Sequence, residues 1–409
     1  MNYFYSFVRL LLTVGWIAVP WTAHAQVPLT LDQALSRARQ RAPRILAAQD
    51  QINEVRGRLT GASILLQENP IVAGMVGPRY STNGDTTDYD FSISQPLELG
   101  GRRAARIAGA QADVERETAA SRNTVRELLG AVSVAFLQGL GARERIRIAQ
   151  ASSLIADELL QSMERRFEAG DVPILEVNLA KTSAAKVRAE LRSAQAAEVS
   201  ALGELRVLLD TSADEALVLV GDLKDRRRFE LNSLLSRADD LPELTALAAE
   251  IREAQAQVKL GEAFRWPTAA PTMSFKQDQG DRVVQGGVSF TLPLFNRGQE
   301  MRAVGEARTS RLQRELDASR RAISTEVRAT YEAYALQVNA LEELERDGLA
   351  GLEENETLAR RSFEEGEIGL PELLLIRRDA FETRMIYADR LLSAAITGVQ
   401  LEARAGVLK

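Results

Sequence analysis

Cysteine is absent from this 409-residue chain, and histidine occurs once, at His24. Without thiols there can be no disulfide and no thiol catalysis. With a single imidazole, neither a Ser-His-Asp triad nor the usual zinc constellations has credible ligands, because His24 lies in the leader described below. Excess positive charge is also missing. The formal net charge is -6, with acidic and basic residues interspersed, which leaves no electrostatic footprint for nucleic acid. Beyond residue 25 no segment reads as long and apolar enough for a membrane helix, so any bilayer crossing must use strands. No set of nucleophile, base and metal can be assembled, and the chain reads as a non-enzyme with no cofactor.

What is present begins with a leader. Arg9 precedes an apolar core from Leu10 to Val19, followed by Pro20 and the small-residue triplet Ala23-His24-Ala25. This is the pattern of a secretory signal peptide over residues 1–25, cleaved before Gln26. The apolar run is far short of the roughly 20 residues that span a bilayer. A cysteine at the first mature position would signal lipid anchoring, and Gln26 stands there instead.

The remainder says nearly the same thing twice. Arg166-Phe167-Glu168-Ala169-Gly170-Asp171-Val172-Pro173-Ile174-Leu175-Glu176-Val177 recurs as Ser362-Phe363-Glu364-Glu365-Gly366-Glu367-Ile368-Gly369-Leu370-Pro371-Glu372-Leu373. Gln95-Pro96-Leu97 matches Leu292-Pro293-Leu294, and the segment from Leu31 to Ala38 matches Leu231 to Ala238. Order is kept and spacing barely drifts, which marks an internal duplication. The first repeat spans 26–221 and the second 222–409. Each holds a short helix, a strand pair (69–96 and 270–293) and a long helical hairpin (101–209 and 298–405).

No proline interrupts Gly101 to Glu168, and a helix of that length reaches roughly 100 Å. Ile146, Ala149, Ser153, Ala156, Leu160, Met163 and Phe167 follow a 3-4 rhythm, and Val177, Ala180, Ala184, Val187, Leu191 and Ala194 continue it beyond Gly170 to Pro173. Two consecutive heptad helices across a short turn predict an antiparallel coiled-coil hairpin. The second copy repeats the design with Leu349, Leu352, Ala359 and Phe363 before its turn and Leu373, Ile376, Ala380, Thr383 and Tyr387 after it, with Glu356 breaking the seam.

The strand pairs read differently. Tyr89, Phe91 and Ile93 alternate with Asp90, Ser92 and Ser94; Met273 and Phe275 alternate with Thr272, Ser274 and Lys276; and Val284, Gly286, Val288, Phe290 and Leu292 line one face. Period-two alternation over about ten residues with a polar partner face is the signature of transmembrane barrel strands. Four strands cannot close a barrel, since small barrels need about eight. Three copies supply twelve, and a cyclic homotrimer is the simplest closure. The fold class expected is therefore mainly α with membrane β: a twelve-stranded barrel shared by three chains, continued by a helical coiled-coil barrel. The competing class is a structural trimeric coiled-coil envelope protein, which has no need of two strand hairpins.

These residues resemble the TolC-like outer-membrane efflux proteins. The resemblance is carried by the two Phe-x-x-Gly-x-x-x-x-x-Glu turns, Phe167 to Glu176 and Phe363 to Glu372, and by the Pro-Leu junctions, and it covers the mature chain. It implies a homotrimer in the bacterial outer membrane and its lipid, with a helical tunnel in the periplasm. It also implies hairpin tips that meet a periplasmic adaptor, and a passive role powered by an inner-membrane transporter. The stretches Ser94 to Arg103 and Leu292 to Gln299 are similar to junctions of the CzcC-like heavy-metal cation branch, which serves resistance-nodulation-division (RND) pumps; a drug or small-molecule duct is the alternative. By motif position the resemblance places Glu176 and Glu372 at the aperture, where rings of carboxylates select cations. The alternative role for either glutamate is to begin a helix, where its charge suits the N-terminal dipole. Gly170, Asp171, Val172, Gly366, Glu367, Ile368 and Gly369 are the adaptor-docking candidates, with Val172 and Ile368 read either as exposed apolar knobs or as packed inside the tip. Arg226-Arg227-Arg228 reads as solvent-facing or as meeting a neighbouring chain, and Met75 and Met273 as wall residues, not metal ligands.

Overall fold

A computed structural model describes residues 28–82, 84–278 and 281–408. The leader and its cleavage point lie outside the described residues, as do Asn83, Gln279 and Gly280 of the strand turns. The first half runs β1 (Pro28–Leu29), α1 (Leu31–Arg41), α2 (Pro43–Ser63), β2 (Ile71–Arg79), β3 (Thr86–Ser94), α3 (Arg102–Glu168), α4 (Ile174–Leu209) and β4 (Val218–Leu219). The second runs α5 (Leu231–Ala238), α6 (Pro242–Ala263), β5 (Thr268–Asp278), β6 (Asp281–Thr291), α7 (Gln299–Glu343), α8 (Leu352–Glu364) and α9 (Leu370–Arg404). A single chain exposes 26315 Å² of surface, where a compact protein of this mass exposes about 16,000 Å². The molecule is correspondingly elongated.

Local signals set the element ends. Thr30 opens α1 through a capping box, its Oγ1 accepting from the Gln33 N–H while its own N–H donates to Gln33 Oε1 at 3.0 Å. Pro43 and Pro242 occupy the first turns of α2 and α6, where a missing N–H costs no helical bond. The 67 residues of α3 reach about 100 Å. This helix packs on α2 and α6 towards its start, on α1 and α9 at mid-length and on α4 towards its end. Its middle holds the largest core: Leu128, Leu129, Val132, Phe136 and Leu140 are buried with Leu35 of α1, Leu205 and Leu209 of α4 and Leu391 of α9.

Two expectations are corrected here. By length and composition α3 contains a stretch apolar enough to cross a membrane, contrary to the sequence reading. Most of that window is buried inside the fold, so neighbouring helices account for its apolar character. Second, the later hairpin does not repeat the unbroken helix of the first. It leaves α-geometry at a π-helical turn, Leu344–Gly348, and restarts after Gly351, whose φ is +76°. The Leu349 N–H donates to the Leu344 carbonyl at 2.9 Å, one residue further back than in an α-helix. A Cβ at Gly348 would lie 2.6 Å from Leu344 Cδ1, so a larger residue there would have to displace the Leu344 side chain.

The four long strands form one antiparallel sheet in the order β2-β3-β5-β6. Ile71 pairs with Ser94 in the first hairpin and Thr268 with Thr291 in the second. Each partner moves by the same 197 positions, so the duplication extends to hydrogen-bond register. The sheet joins the helices through glycines: Gly101 (φ +84°) starts α3 and Gly298 (φ +75°) starts α7. Beside the first junction the Trp266 ring lies against Gly100, where a Cβ would stand 2.2 Å from Cδ1. Arg102 locks this corner, donating to the Trp266 carbonyl at 2.7 Å and to Thr268 Oγ1 at 2.9 Å, with its guanidinium 4.4 Å from the centre of the Phe264 ring.

Candidate functional site

Pairing sorts the side chains of the sheet into two unlike faces. Val72, Val76, Phe91, Ile93, Met273, Phe275, Val284, Val288 and Phe290 share one side, and all of them are exposed or half-exposed in the single chain. Asp88, Asp90, Ser92, Ser94, Thr272, Ser274, Lys276, Gln285 and Ser289 share the other. On the polar face Arg79 binds Asp88 at 2.6 Å and Asp278 at 2.5 Å, and Lys276 stands 3.4 Å from Asp90. Met273 lies on the apolar face and Met75, paired with Asp90, on the polar one. A sheet that is apolar on one face and charged on the other is built to separate hydrocarbon from water.

The opposite end of the molecule is a pair of hairpin tips. In the first, the Gly170 N–H donates to Phe167 O at 2.9 Å and the Asp171 N–H to Arg166 O at 2.8 Å, a glycine-terminated helix end with Gly170 at φ +82°. Gly366, at φ +78°, ends the second in the same way, with the Glu367 N–H donating to Ser362 O at 2.8 Å. Leu159, Leu160, Met163, Val177, Ala180 and Ala184 of the first hairpin form one core with Ala359, Leu370 and Leu373 of the second. The two tips are therefore packed together as a unit.

The tip residues separate by environment. Gly170, Asp171, Gly366, Glu367 and Gly369 are exposed. Val172 is buried at 8% exposure and Ile368 packs against the shared core, so of the two sequence alternatives both side chains take the inward one. A short turn between two apolar seams leaves its branched side chains nowhere better to go than inward. Ser362 Oγ donates to Glu367 at 2.9 Å, tying that carboxylate to its own helix end. Glu372 accepts from the Gly369 N–H at 3.1 Å and so caps α9. The half-exposed Glu176 lies in the first turn of α4 with no side-chain partner assigned.

Charge pairs that sequence reading missed hold the helices to one another. Glu356, seen only as a break in the heptad seam, forms an ion pair with Arg384 of α9. Arg226 is bound by Glu345 of the π-helical turn, and Tyr387 donates to the same carboxylate at 2.5 Å. The Arg226 guanidinium, then Tyr387, hold the Glu345 carboxyl below its ordinary value, while burial, then Glu345, push the Tyr387 phenol up to about 12. Arg227 pairs with Glu402. Two of the three link arginines are thus tied within the chain, not left to solvent or a neighbour. Arg377 sits between the two hairpins with Nη1 buried and unbonded, and burial lowers its pKa.

The model of the outer membrane efflux protein family matches residues 34–211 and 234–407, both halves of the chain. The chain belongs to the outer membrane efflux protein family. Among curated relatives it is 26% identical over 364 residues to the cobalt-zinc-cadmium resistance protein CzcC of Cupriavidus metallidurans, covering 88% of this chain and 86% of that one. It is also 26% identical over 404 residues to the pyoverdine export outer membrane protein OpmQ of Pseudomonas aeruginosa, covering 93% and 81%. A crystal structure of CusC matches with a TM-score of 0.77 at 16% identity, over 93% of this chain and 92% of that one. Among the described residues no cluster of His, Cys, Asp or Glu could hold a metal ion.

Proposed function

We propose that three copies of this chain form a passive outer-membrane duct of a tripartite efflux pump, and that its cargo is a heavy-metal cation. The observation that carries the duct reading is the four-stranded sheet, apolar on one face and polar on the other, with both edge strands unpaired among the described residues. Open edges of that length demand partners, and closure into a twelve-stranded barrel removes them. The apolar face then meets lipid, the polar face lines water, and the helices continue the conduit into the periplasm, which the leader over residues 1–25 gives the chain a route to reach. The exposed tip residues Gly170, Asp171, Gly366, Glu367 and Gly369 meet an adaptor that links the duct to an RND-type transporter. Glu176 and Glu372, one pair from each copy, ring the axis and favour cations.

Similarity to a cobalt-zinc-cadmium resistance protein supports metal as the cargo. A duct need not bind what it conducts, so the lack of cysteine and histidine does not oppose this. The comparable similarity to a pyoverdine exporter supports the second reading, a small-molecule duct of the same build. Intracellular zinc, cobalt, cadmium and copper, measured with a fluorescent drug in cells with and without the protein, separate the two. Metal alone should rise on deletion. A rise confined to the dye moves the duct to a small-molecule pump, and no change in either refutes export.

A further inference from the structure

The seam between copies has a register that can be read from the seam inside one copy. We infer that β6 of each chain pairs antiparallel with β2 of the next, with Phe290 opposite Val76, Thr291 opposite Met75 and Ser289 opposite Gly77. This rests on the trimeric barrel proposed above and specifies its partner contacts.

The duplication supplies the argument. Adding 197 to both members of every β2–β3 pair gives the β5–β6 pairs without exception at the shared positions, so the two hairpins are superposable modules. They meet inside the chain at β3 and β5, where Ile93 faces Met273 and Ser94 faces Thr272. The free strands β6 and β2 are the duplicates of β3 and β5. If one module meets the next in the same way throughout, Ile93 becomes Phe290 and Met273 becomes Val76, while Ser94 becomes Thr291 and Thr272 becomes Met75.

Three further features fit this alignment. First, the stagger is uniform. Met75 pairs with Asp90 and Asp90 with Lys276, whose duplicate is Arg79, so one module advances the strand by four residues. A closed barrel needs a consistent stagger, and the inferred seam repeats that step. Second, the faces match. Phe290 and Val76 are both on the apolar side, and Ser289 and Gly77 are both on the polar one. Third, the uncovered copy of the junction is the one without a neighbour. Leu97 bridges to Ala269 and is half-buried, whereas its duplicate Leu294 is 61% exposed and the adjacent Phe295 91% exposed. The same alignment sets Leu294 opposite Val72 of the next copy.

Hydrogen bonding fixes which pairs can be tested. The Gln95 N–H donates to the Pro271 carbonyl at 3.1 Å and the Leu97 N–H to that of Ala269 at 2.8 Å, so odd-numbered β3 residues sit in hydrogen-bonded pairs. The pair Ser94 with Thr272, and by duplication Thr291 with Met75, is of the other kind, with Cα atoms about 4.5 Å apart. That lies inside the range a disulfide tolerates.

The natural chain has no cysteine, so Thr291→Cys with Met75→Cys can be made directly in it. After mild oxidation of outer-membrane fractions, this variant should run as a covalent trimer on non-reducing gels. Thr291→Cys combined with Ala73→Cys or with Gly77→Cys probes slips of two residues, about 7 Å along the strand. These should cross-link roughly tenfold less. Ser289→Cys with Gly77→Cys lies on the inferred register and replicates the result should the first variant fail to reach the membrane; Gly77 has open space around it for a side chain. Preferential cross-linking of a slipped pair would leave the trimer intact and overturn the register. Heat-modifiable trimers with no cross-link in any pair would overturn the β6–β2 seam. The absence of both trimers and cross-links would refute the trimeric reading beneath it.

Discussion

At the scale of single residues, Glu345 joins three parts of the chain through one carboxylate: the link arginine Arg226, Tyr387 of α9 and its own π-helical turn. Its folded-state pKa is lowered, so its contribution to stability is complete above the ordinary carboxylate value of 4.5 and is lost as pH falls through the depressed one. Tyr387 has the opposite sign: its raised pKa contributes fully below 10 and is lost as pH climbs towards about 12. Glu345→Gln should cost about 1–2 kcal/mol at neutral pH, reduced by partial solvent exposure. In thermal melts of the purified protein that deficit should shrink at about pH 3, below the ordinary carboxylate range. An equal deficit at both pH values would show that packing, not charge, holds the turn. Gly298 makes a second residue-scale case, because φ is +75° and an added Cβ would stand 2.2 Å from the Gly261 carbonyl oxygen. Gly298→Ala should lower the amount of folded protein in the membrane fraction, and Gly57→Ala, with open space around it, should not.

At the scale of elements, the two hairpins differ in what interrupts them. The first has the unbroken α3; the second has a π-helical turn and a restart at Gly351. Amide hydrogen exchange should therefore be faster across 344–351 than across 128–142, where α3 lies in the largest core. Equal protection would mean that the turn is as rigid as a regular helix. At the tips, Glu372 already caps α9, and glutamine can accept the same hydrogen bond, so Glu372→Gln removes charge without removing the cap. In planar bilayers Glu176→Gln and Glu372→Gln should each lower cation over anion selectivity. Unchanged selectivity in both would assign these side chains to helix starts alone.

Much of this level was legible in the sequence. Strand alternation placed Phe91, Ile93, Met273 and Phe275 on one face, and the heptad rhythm picked out Met163, Val177, Ala180 and Ala184, all buried. What escaped has a common cause. The pairing of Arg226 with Glu345, or of Arg384 with Glu356, depends on helices brought together by the fold and leaves no local spacing to read. For Val172 the sequence left two alternatives, a free knob or packing inside the tip, because a turn with glycine and aspartate gives no sign of a core beside it; the buried side chain takes the second. Gly348 and Gly351 were visible but ambiguous, since a glycine within a helical pattern is often tolerated without a break, and the positive φ of Gly351 is known only from the fold.

At the scale of the whole molecule, the single chain has a large excess of exposed surface and, among the described residues, a sheet open along both edges, which three copies would close in the proposed duct. Outer-membrane fractions solubilised gently should yield a species of three chains that falls to one chain on heating. A monomer that persists at every protein concentration would contradict the closed barrel. The sheet face and the helical cores also predict distinct sensitivities: substituting Val288→Arg on the apolar face should lower membrane insertion by about 2–4 kcal/mol if that face meets mid-bilayer lipid. The same change at Gln285, on the polar face, should be tolerated.

The tryptophan resting on Gly100 gives the protein a built-in optical probe. Trp16 and Trp21 both fall within residues 1–25, so in a chain cleaved before Gln26, as the sequence reading expects, Trp266 is the sole indole. It sits where sheet gives way to helix and is 58% exposed in the isolated chain. Its emission wavelength and its quenching by acrylamide can therefore report, without any label, whether that corner becomes covered in the proposed trimer.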